Sequence, residues 1–369
     1  MVSKIIQLIT CFSISFFTTL IIVPFINKIS FKFNLIDYPD NRKQHKKKIV
    51  RIGGLGIFLG VFISVLYISI NSLLTLENPL ILDFLFIGSA LFFLLGFLDD
   101  IFNLSPFLRL FIQFLISVLI WLSGIQISNL EFNIFNFGGF NIYLSDGFSL
   151  FFTVFWITGF INGLNWIDGL DGLAIGMTLI SSTGLTLYAL LTGNTEYIFL
   201  LVTIIGSGLG FLIHNWYPAK ILMGDGGSYF LGSILSISSI SLFSAYKNIS
   251  MTQKESNSIL IIQLLLIFSI PIFDMFFVIL SRILNNKSIF NADRSHFHHR
   301  ILQKGFSHKN TVIVMCAFSQ FFMILGITSL IIEYRFLALF ISLCILNLVI
   351  LYNFDLEKLL RLNFKPSKK

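Results

Sequence analysis

The chain has 369 residues, of which 56% are hydrophobic and 12% are charged, and its formal net charge is +7 at pH 7. Soluble domains average about 25% charged residues, so this composition excludes an ordinary soluble enzyme and indicates an integral membrane protein. The three cysteines lie in separate apolar runs and have no spacing typical of a disulfide or of a metal site.

Eleven apolar runs are long enough to cross a bilayer, which takes about 20 residues. They cover residues 5–27, 52–70, 80–98, 107–125, 148–164, 172–192, 197–214, 228–246, 259–281, 312–332 and 335–353. We predict no cleavable signal peptide, because the first apolar run is long and no small-residue cleavage site follows a short apolar core. The sequence predicts an all-α integral membrane protein with about eleven transmembrane helices, made of a polytopic domain (1–353) and a basic tail (354–369).

The basic residues predict the orientation of the helices. With the N-terminus outside and the C-terminus cytoplasmic, the inside segments are 28–51, 99–106, 165–171, 215–227, 282–311 and the tail. Together with Arg109 they contain 21 of the 25 Lys and Arg residues. Such an excess is the positive-inside pattern. It explains the net charge without nucleic-acid binding, and we expect the protein in the cell inner (plasma) membrane.

Seven aspartates interrupt this apolar chain, and all but one lie at the ends of apolar runs or in the loops between them. They are Asp99, Asp100, Asp168, Asp171, Asp225, Asp274 and Asp293. Charged groups in or near the hydrocarbon layer are costly and usually functional. Because the predicted inside segments carry six of the seven, we expect an active site at the cytoplasmic face.

The first motif is the adjacent pair Asp99 and Asp100. Both ionise readily only beside a cation or a strong hydrogen-bond donor, although a solvated helix end is the simpler alternative. Arg109 starts the next run, where it would anchor lipid headgroups or hold a phosphate.

The second motif places Asn162, Asn165, Asp168 and Asp171 within ten residues. Read as helix, the two amides share one face and so do the two acids. Helix capping alone does not explain four such groups between two apolar runs.

The third motif is Asp225 in a glycine-rich turn at the start of an apolar run. Such a turn can bind an anion through backbone N–H groups, and the carboxylate is a hard ligand for Mg²⁺. A plain helix connection is the alternative.

The fourth motif is Arg294 with His296, His298 and His299. Arginine beside histidine suits a pyrophosphate or a sugar better than zinc, and an ordinary surface loop stays open. Asp274 lies three residues after Pro271, which should kink the ninth run. It would face a polar groove or be a buried, hydrogen-bonded acid.

These four motifs, in this order, resemble those of the polyprenyl-phosphate N-acetylhexosamine-1-phosphate transferases, glycosyltransferase family 4. The 28–51 loop, with Asp37, Arg42 and His45, is similar to the WecA and TagO branch more than to MraY. The resemblance implies transfer of a sugar 1-phosphate, by default GlcNAc 1-phosphate, from a UDP-N-acetylhexosamine to polyprenyl (undecaprenyl) phosphate, with release of UMP. It also implies a Mg²⁺ cofactor, with Mn²⁺ as the alternative.

The resemblance assigns roles by position. Asn165 and Asp225 would hold the metal, and Asp99 and Asp100 would lie at the lipid phosphate, with Asp99 as the candidate base. The implied substrate-binding residues are Arg42, His45, Arg109, Asn162, Asp168, Asp171, Arg294, His296, His298 and His299. Two positions depart from the family pattern: Arg109 replaces a lysine, and Leu222 stands where phenylalanine is common.

Several alternatives stay open at the level of sequence. A secondary transporter would also carry intramembrane acids, although it would place them near the bilayer midplane. A phosphotransferase of the CDP-alcohol type would carry an Asp-Gly-x-x-Ala-Arg element, and we find none in this sequence. The sequence does not choose among GlcNAc, GalNAc and a deoxy-aminosugar, nor does it name the polymer or reveal a homodimer. Direct attack by the lipid phosphate is favoured over a covalent enzyme intermediate, because the acceptor is already a good nucleophile.

Overall fold

The structure, a computed structural model, describes residues 2–33, 35–37, 48–71, 79–133, 139–194, 196–250, 258–288 and 295–331. Its helices are α1 (Val2–Lys32), α2 (Gly54–Ile70), α3 (Pro79–Phe102), α4 (Pro106–Leu122), α5 (Asp146–Ile167), α6 (Leu173–Leu191), α7 (Glu196–Asn215), α8 (Gly224–Ser250), α9 (Ser258–Ile267), α10 (Ser269–Leu284), α11 (Phe297–Gln303) and α12 (His308–Ile331). Two antiparallel hairpins pair β1 (Ile36–Asp37) with β2 (Ile49–Val50) and β3 (Asn129–Asn133) with β4 (Gly139–Tyr143).

The first ten predicted apolar runs all fall on helices. Among the described residues, six helices are long and apolar enough to cross a membrane, namely α1, α5, α6, α7 and the Phe84–Phe102 and His308–Leu330 portions of α3 and α12, while α2 and α4 are shorter apolar helices. The prediction of a largely helical, multi-pass membrane protein is thereby confirmed. The total of eleven spans and the orientation stay predictions, since run 335–353 and tail 354–369 lie outside the described residues.

The ninth run is two helices rather than one. α9 ends at Ile267 and α10 begins at Ser269, so Pro271 falls in the first turn of α10. A proline there costs no helical hydrogen bond, because the first N–H groups of a helix have no intrahelical partner. The short helix α11 was not predicted, since seven mostly polar residues give no clear periodic signal.

Helices α1, α2 and α7 pack together through buried hydroxyl groups. Thr19 Oγ1 lies 2.8 Å from Ser207 Oγ, and Ser64 Oγ lies 3.1 Å from Thr203 Oγ1. Small hydroxyl residues let membrane helices approach closely, and each interhelical hydrogen bond adds about 0.6 kcal/mol. This group forms one side of the bundle.

Helix α8 occupies the centre, in contact with α2, α3, α5 and α6. Every residue from Met223 to Leu242 is buried. A helix that is apolar or small all round belongs in a core. The acid in its first turn, Asp225, is therefore delivered to the middle of one end of the bundle.

The segment before α2 fixes the start of α8. Leu222 N donates to Val50 O at 2.8 Å, Gly53 N to Leu222 O at 2.9 Å, and Gly54 N to Met223 O at 2.8 Å. These backbone bonds use both polar groups of Leu222, whatever its side chain. They also bring Arg51, between the bonded residues, to the same end of the bundle.

Candidate active site

Asp99 lies in the last turn of α3, and both of its carboxylate oxygens accept hydrogen bonds. Its Oδ1 accepts from Leu104 N at 2.8 Å, which shapes the turn into α4. Its Oδ2 accepts from Arg109 Nη1 at 2.6 Å. Through Asp99, the structure therefore joins the acidic pair to Arg109, the arginine at the start of the next apolar run.

Asp100, the next residue, bonds the start of α8 rather than Arg109. Its two oxygens accept from the backbone N–H groups of Asp225 and Gly226, each at 2.9 Å, and Arg51 Nε lies 3.3 Å from Oδ1. A carboxylate on the first N–H groups of a helix satisfies unpaired donors and complements the helix dipole. Asp100 therefore fixes the position of α8.

Asp225 is the residue on which the other groups converge. Its Oδ1 accepts from Asn165 Nδ2 at 2.7 Å and from Arg51 Nη2 at 2.9 Å. Arg109 Nη1 lies 3.7 Å from its Oδ2 and 2.6 Å from Asp99 Oδ2, so the two carboxylates share this guanidinium group. Two carboxylates, two guanidinium groups and an amide thus meet at one point.

Arg51 belongs to this centre but was not among the candidate residues of the sequence analysis. A usable signal was present, because Arg51 lies just before an apolar run, as Arg109 lies at the start of another. With 37% of its side chain exposed, it borders both the acids and the open side of the site.

The two amides of the second motif diverge, although the sequence predicted a shared face. Asn165 donates to Asp225 and also to Ser228 Oγ at 2.9 Å. Asn162, one turn earlier, donates to Gln113 Oε1 and Thr158 O, both at 2.7 Å. Only Asn165 reaches the acidic centre, and Asn162 joins α5 to α4.

The two acids of that motif also separate, because α5 ends at Ile167 and they lie in the turn that follows. Burial, opposed by Arg51 but reinforced by Asp225 and Asp100, raises the pKa of Asp168 well above its usual range. Asp171 Oδ2 accepts from Ala219 N at 3.0 Å. Asp168 thus belongs electrostatically to the centre, whereas Asp171 joins two loops.

The histidine motif lies at the start of α11. His296 Nδ1 lies 2.8 Å from Asp274 Oδ2, and Phe297 N donates to Asp274 Oδ1 at 2.6 Å. Asp274 is therefore a buried, hydrogen-bonded acid, the second of the two readings offered by the sequence.

His298 is 1% exposed and lies against Gly169, where an added Cβ would come within 2.6 Å of its Nε2. Neither ring nitrogen has a hydrogen-bond partner in the described part of the chain. Burial and the neighbouring histidines lower the pKa of His298 well below its usual value, so the ring is neutral at pH 7. Its ring centroid is 4.2 Å from that of His299. The motif therefore adjoins the turn that holds Asp168.

Three predicted binding residues, Arg42, His45 and Arg294, lie outside the described residues. Within the described ranges, no three His, Cys, Asp or Glu side chains are grouped to hold a metal. The zinc alternative for the histidine motif therefore gains no support from these residues.

A magnesium ion needs fewer protein ligands than a zinc ion does. It commonly takes one or two carboxylates, water and substrate phosphates, and keeps to hard oxygen ligands. Asp99 and Asp225 each direct a carboxylate oxygen toward Arg109 Nη1, and Asn165 brings an amide to the same place. The carboxylates therefore suit Mg²⁺, and Asn165 would be a ligand with its amide turned so that the oxygen takes the place of Nδ2 beside Asp225.

Comparison with known proteins agrees with this geometry. The model of glycosyl transferase family 4 matches residues 82–243, which include the acidic pair, the two amides and Asp225. A Bacillus subtilis protein named probable undecaprenyl-phosphate N-acetylglucosaminyl 1-phosphate transferase is 34% identical over 99% of this chain and 96% of its own length. The undecaprenyl-phosphate alpha-N-acetylglucosaminyl 1-phosphate transferases of Thermotoga maritima and Escherichia coli are 30% and 27% identical, over 90% and 82% of this chain and 92% and 78% of theirs. The resemblance predicted from the four motifs is confirmed, and the chain belongs to glycosyl transferase family 4.

Proposed function

We propose that this protein transfers N-acetylglucosamine 1-phosphate from UDP-N-acetylglucosamine to undecaprenyl phosphate and releases UMP. The observation that carries the proposal is the convergence of Asp99, Asn165 and Asp225 with two arginines at one end of the bundle. Relatives similar over nearly the whole chain are named for this reaction.

The reaction joins two anions that repel each other, and the site contains two arginines that can offset this repulsion. An oxygen of the lipid phosphate attacks the phosphorus attached to the sugar, the bond to the bridging oxygen breaks, and that oxygen leaves with UMP. Arg51 and Arg109 lie where the negative charges would meet. Catalysis of such a transfer is mainly positioning and electrostatic stabilisation.

The nucleophile needs little help from a base. The second pKa of a phosphate monoester is about 6, so the lipid phosphate is largely a dianion at neutral pH. Both oxygens of Asp99 already accept hydrogen bonds. We therefore assign Asp99 to orienting Arg109, and its role as a base stays a prediction.

We assign the cofactor as Mg²⁺, which Asp225 would hold together with the side-chain oxygen of Asn165, once that amide turns its oxygen rather than its nitrogen toward the carboxylate. A bound magnesium ion would neutralise charge on the diphosphate as UMP leaves. His298, neutral and with both ring nitrogens unpartnered among the described residues, would donate to or accept from the sugar or the diphosphate. The excess of Lys and Arg in the predicted inside loops supports a site at the cytoplasmic face of the inner membrane.

The transporter reading is less well supported by the position of the acids. Asp99 and Asp100 are in the last turn of α3, and Asp225 is in the first turn of α8. A carrier would place its substrate acids near the midplane, at the interface of internal repeats.

The proposed activity is tested by incubating purified protein with undecaprenyl phosphate and, in turn, UDP-GlcNAc, UDP-GalNAc and a UDP-deoxy-aminosugar, while UMP is measured. UDP-GlcNAc is expected to give the fastest release. We also expect EDTA to abolish release and excess Mg²⁺ to restore it, because two carboxylates and a diphosphate would otherwise repel. Undiminished release in EDTA would contradict the metal assignment while leaving the transfer itself intact.

Arg109 offers a graded test of its role. Arg109→Lys is expected to keep activity within about 10-fold of the unmodified protein, because the charge between Asp99 and Asp225 remains while the planar guanidinium geometry is lost. Arg109→Ala is expected to cost on the order of 100-fold or more, since both acids lose their shared partner. Steady-state turnover of both variants measures this, and equal losses would show that charge is not what Arg109 supplies.

A further inference from the structure

Asp274 is a buried acid to which the proposed transfer reaction assigns no role. It lies in the second turn of α10 and is 6% exposed. A buried carboxylate is costly unless its oxygens are hydrogen-bonded. Both of them are bonded, and both partners belong to the histidine motif.

The two bonds do different things. Phe297 N donates to Oδ1 at 2.6 Å, which satisfies one of the free N–H groups at the start of α11. His296 Nδ1 lies 2.8 Å from Oδ2. A carboxylate only accepts hydrogen bonds, so Nδ1 carries the hydrogen and Nε2, across the ring, keeps its lone pair in the neutral imidazole.

The ring held in this way lies beside the catalytic motif of α5. Its centroid is 5.7 Å from that of Trp166, the residue directly after Asn165, and 5.7 Å from that of His298. Arg282, two turns along α10 from Asp274, has its guanidinium 5.1 Å from the centre of the Trp166 ring. Helix α10 therefore contacts Trp166 through Arg282 and His296 through Asp274.

We propose that Asp274 is a positioning residue for the transfer reaction, which holds His296 with Nδ1 protonated so that Nε2 accepts a hydrogen bond from the sugar donor. This role presupposes the proposed function. No described residue hydrogen-bonds His296 Nε2, which leaves that atom for a ligand. Carboxylates that orient a histidine in this way commonly matter 10–100-fold, as at metal sites.

Asp274→Asn separates the two bonds. The amide oxygen can still accept from Phe297 N, but the amide nitrogen can only donate to His296 Nδ1 and so imposes the opposite tautomer. Turnover is expected to fall about 10–100-fold with little change in thermal stability. Asp146→Asn, a change in an exposed acid of the first turn of α5, at the other end of that helix from Asn165, is the matched control and is expected to leave turnover unchanged.

A double-mutant cycle with His296→Gln decides between positioning and plain structure. If Asp274 acts through His296, adding Asp274→Asn to His296→Gln costs less than about 2-fold further. A full additional loss in that background, or near-normal turnover of Asp274→Asn alone, would overturn the inference.

A second readout does not depend on activity. In ¹⁵N-histidine spectra, with the His296 signal identified from the His296→Gln variant, Nδ1 should be protonated in the unmodified protein and Nε2 in Asp274→Asn. An Nε2-protonated ring in the unmodified protein would refute the inference. Absence of UMP release by the unmodified protein would instead contradict the proposed function, and the spectra would still test the tautomer.

Discussion

Asp225→Ala is expected to lower the rate of UMP release on the order of 10³-fold, the largest loss from a single side chain in this site. The carboxylate removed is the one on which Asn165, Arg51 and Arg109 converge. Without it, the two arginines and the amide lose their common partner, and the proposed metal loses its charged ligand.

The fold should survive this change, because Asp100 bonds the backbone N–H groups at positions 225 and 226 rather than the side chain. Asp99→Asn is the comparison variant. It keeps an acceptor for Leu104 N but weakens the pair with Arg109, so a loss of about 100-fold is expected. Both variants are assayed at saturating Mg²⁺. Near-normal turnover of Asp225→Ala would refute the metal assignment, and a larger loss in Asp99→Asn would move the centre of the site to that residue.

Gly54→Ala is expected to destabilise the protein by about 3 kcal/mol, the upper end of the usual cost of overpacking, and to abolish activity as well. A Cβ at residue 54 would lie 2.2 Å from Gly227 N and 2.9 Å from Met223 O. Both neighbours are backbone atoms, and Met223 O accepts the hydrogen bond from Gly54 N. Relief of the clash would therefore move the start of α8, and Asp225 with it.

Gly147→Ala is the matched control for that substitution. Gly147 is also helical and exposed, and nothing lies within 4 Å of an added Cβ. Alanine there should be neutral or stabilise by up to about 1 kcal/mol. Thermal unfolding in detergent and UMP release are measured for both variants. Unchanged stability and turnover of Gly54→Ala would contradict the close packing of α2 against the start of α8.

The sequence predicted the helices well, because the apolar runs were long and lipid solvation leaves little alternative to a helix. It did not predict the division of the ninth run at Phe268 or the short helix α11. Apolar residues on both sides of Phe268 hid the break, and seven residues gave α11 too little periodicity.

The candidate site was predicted as a set of residues but not as a set of partners. Adjacent Asp99 and Asp100 are indistinguishable in sequence, yet one holds Arg109 and the other holds the start of α8. Spacing suggested that Asn162 and Asn165 act together, whereas Asn162 in fact donates a hydrogen bond to Gln113 on another helix. Which side chain faces which neighbour depends on helix rotation in the bundle, and local spacing does not carry that information.

The transfer of a phosphate together with the sugar is tested most directly by the fate of the phosphorus next to the sugar. UDP-GlcNAc labelled with ³²P at that phosphate and with ¹⁴C in the sugar is incubated with the protein and undecaprenyl phosphate, and the lipid is extracted. Equal molar amounts of both labels in the lipid, with unlabelled UMP in the water phase, are the predicted result. Lipid that carries ¹⁴C alone, with ³²P left in UDP, would contradict the account.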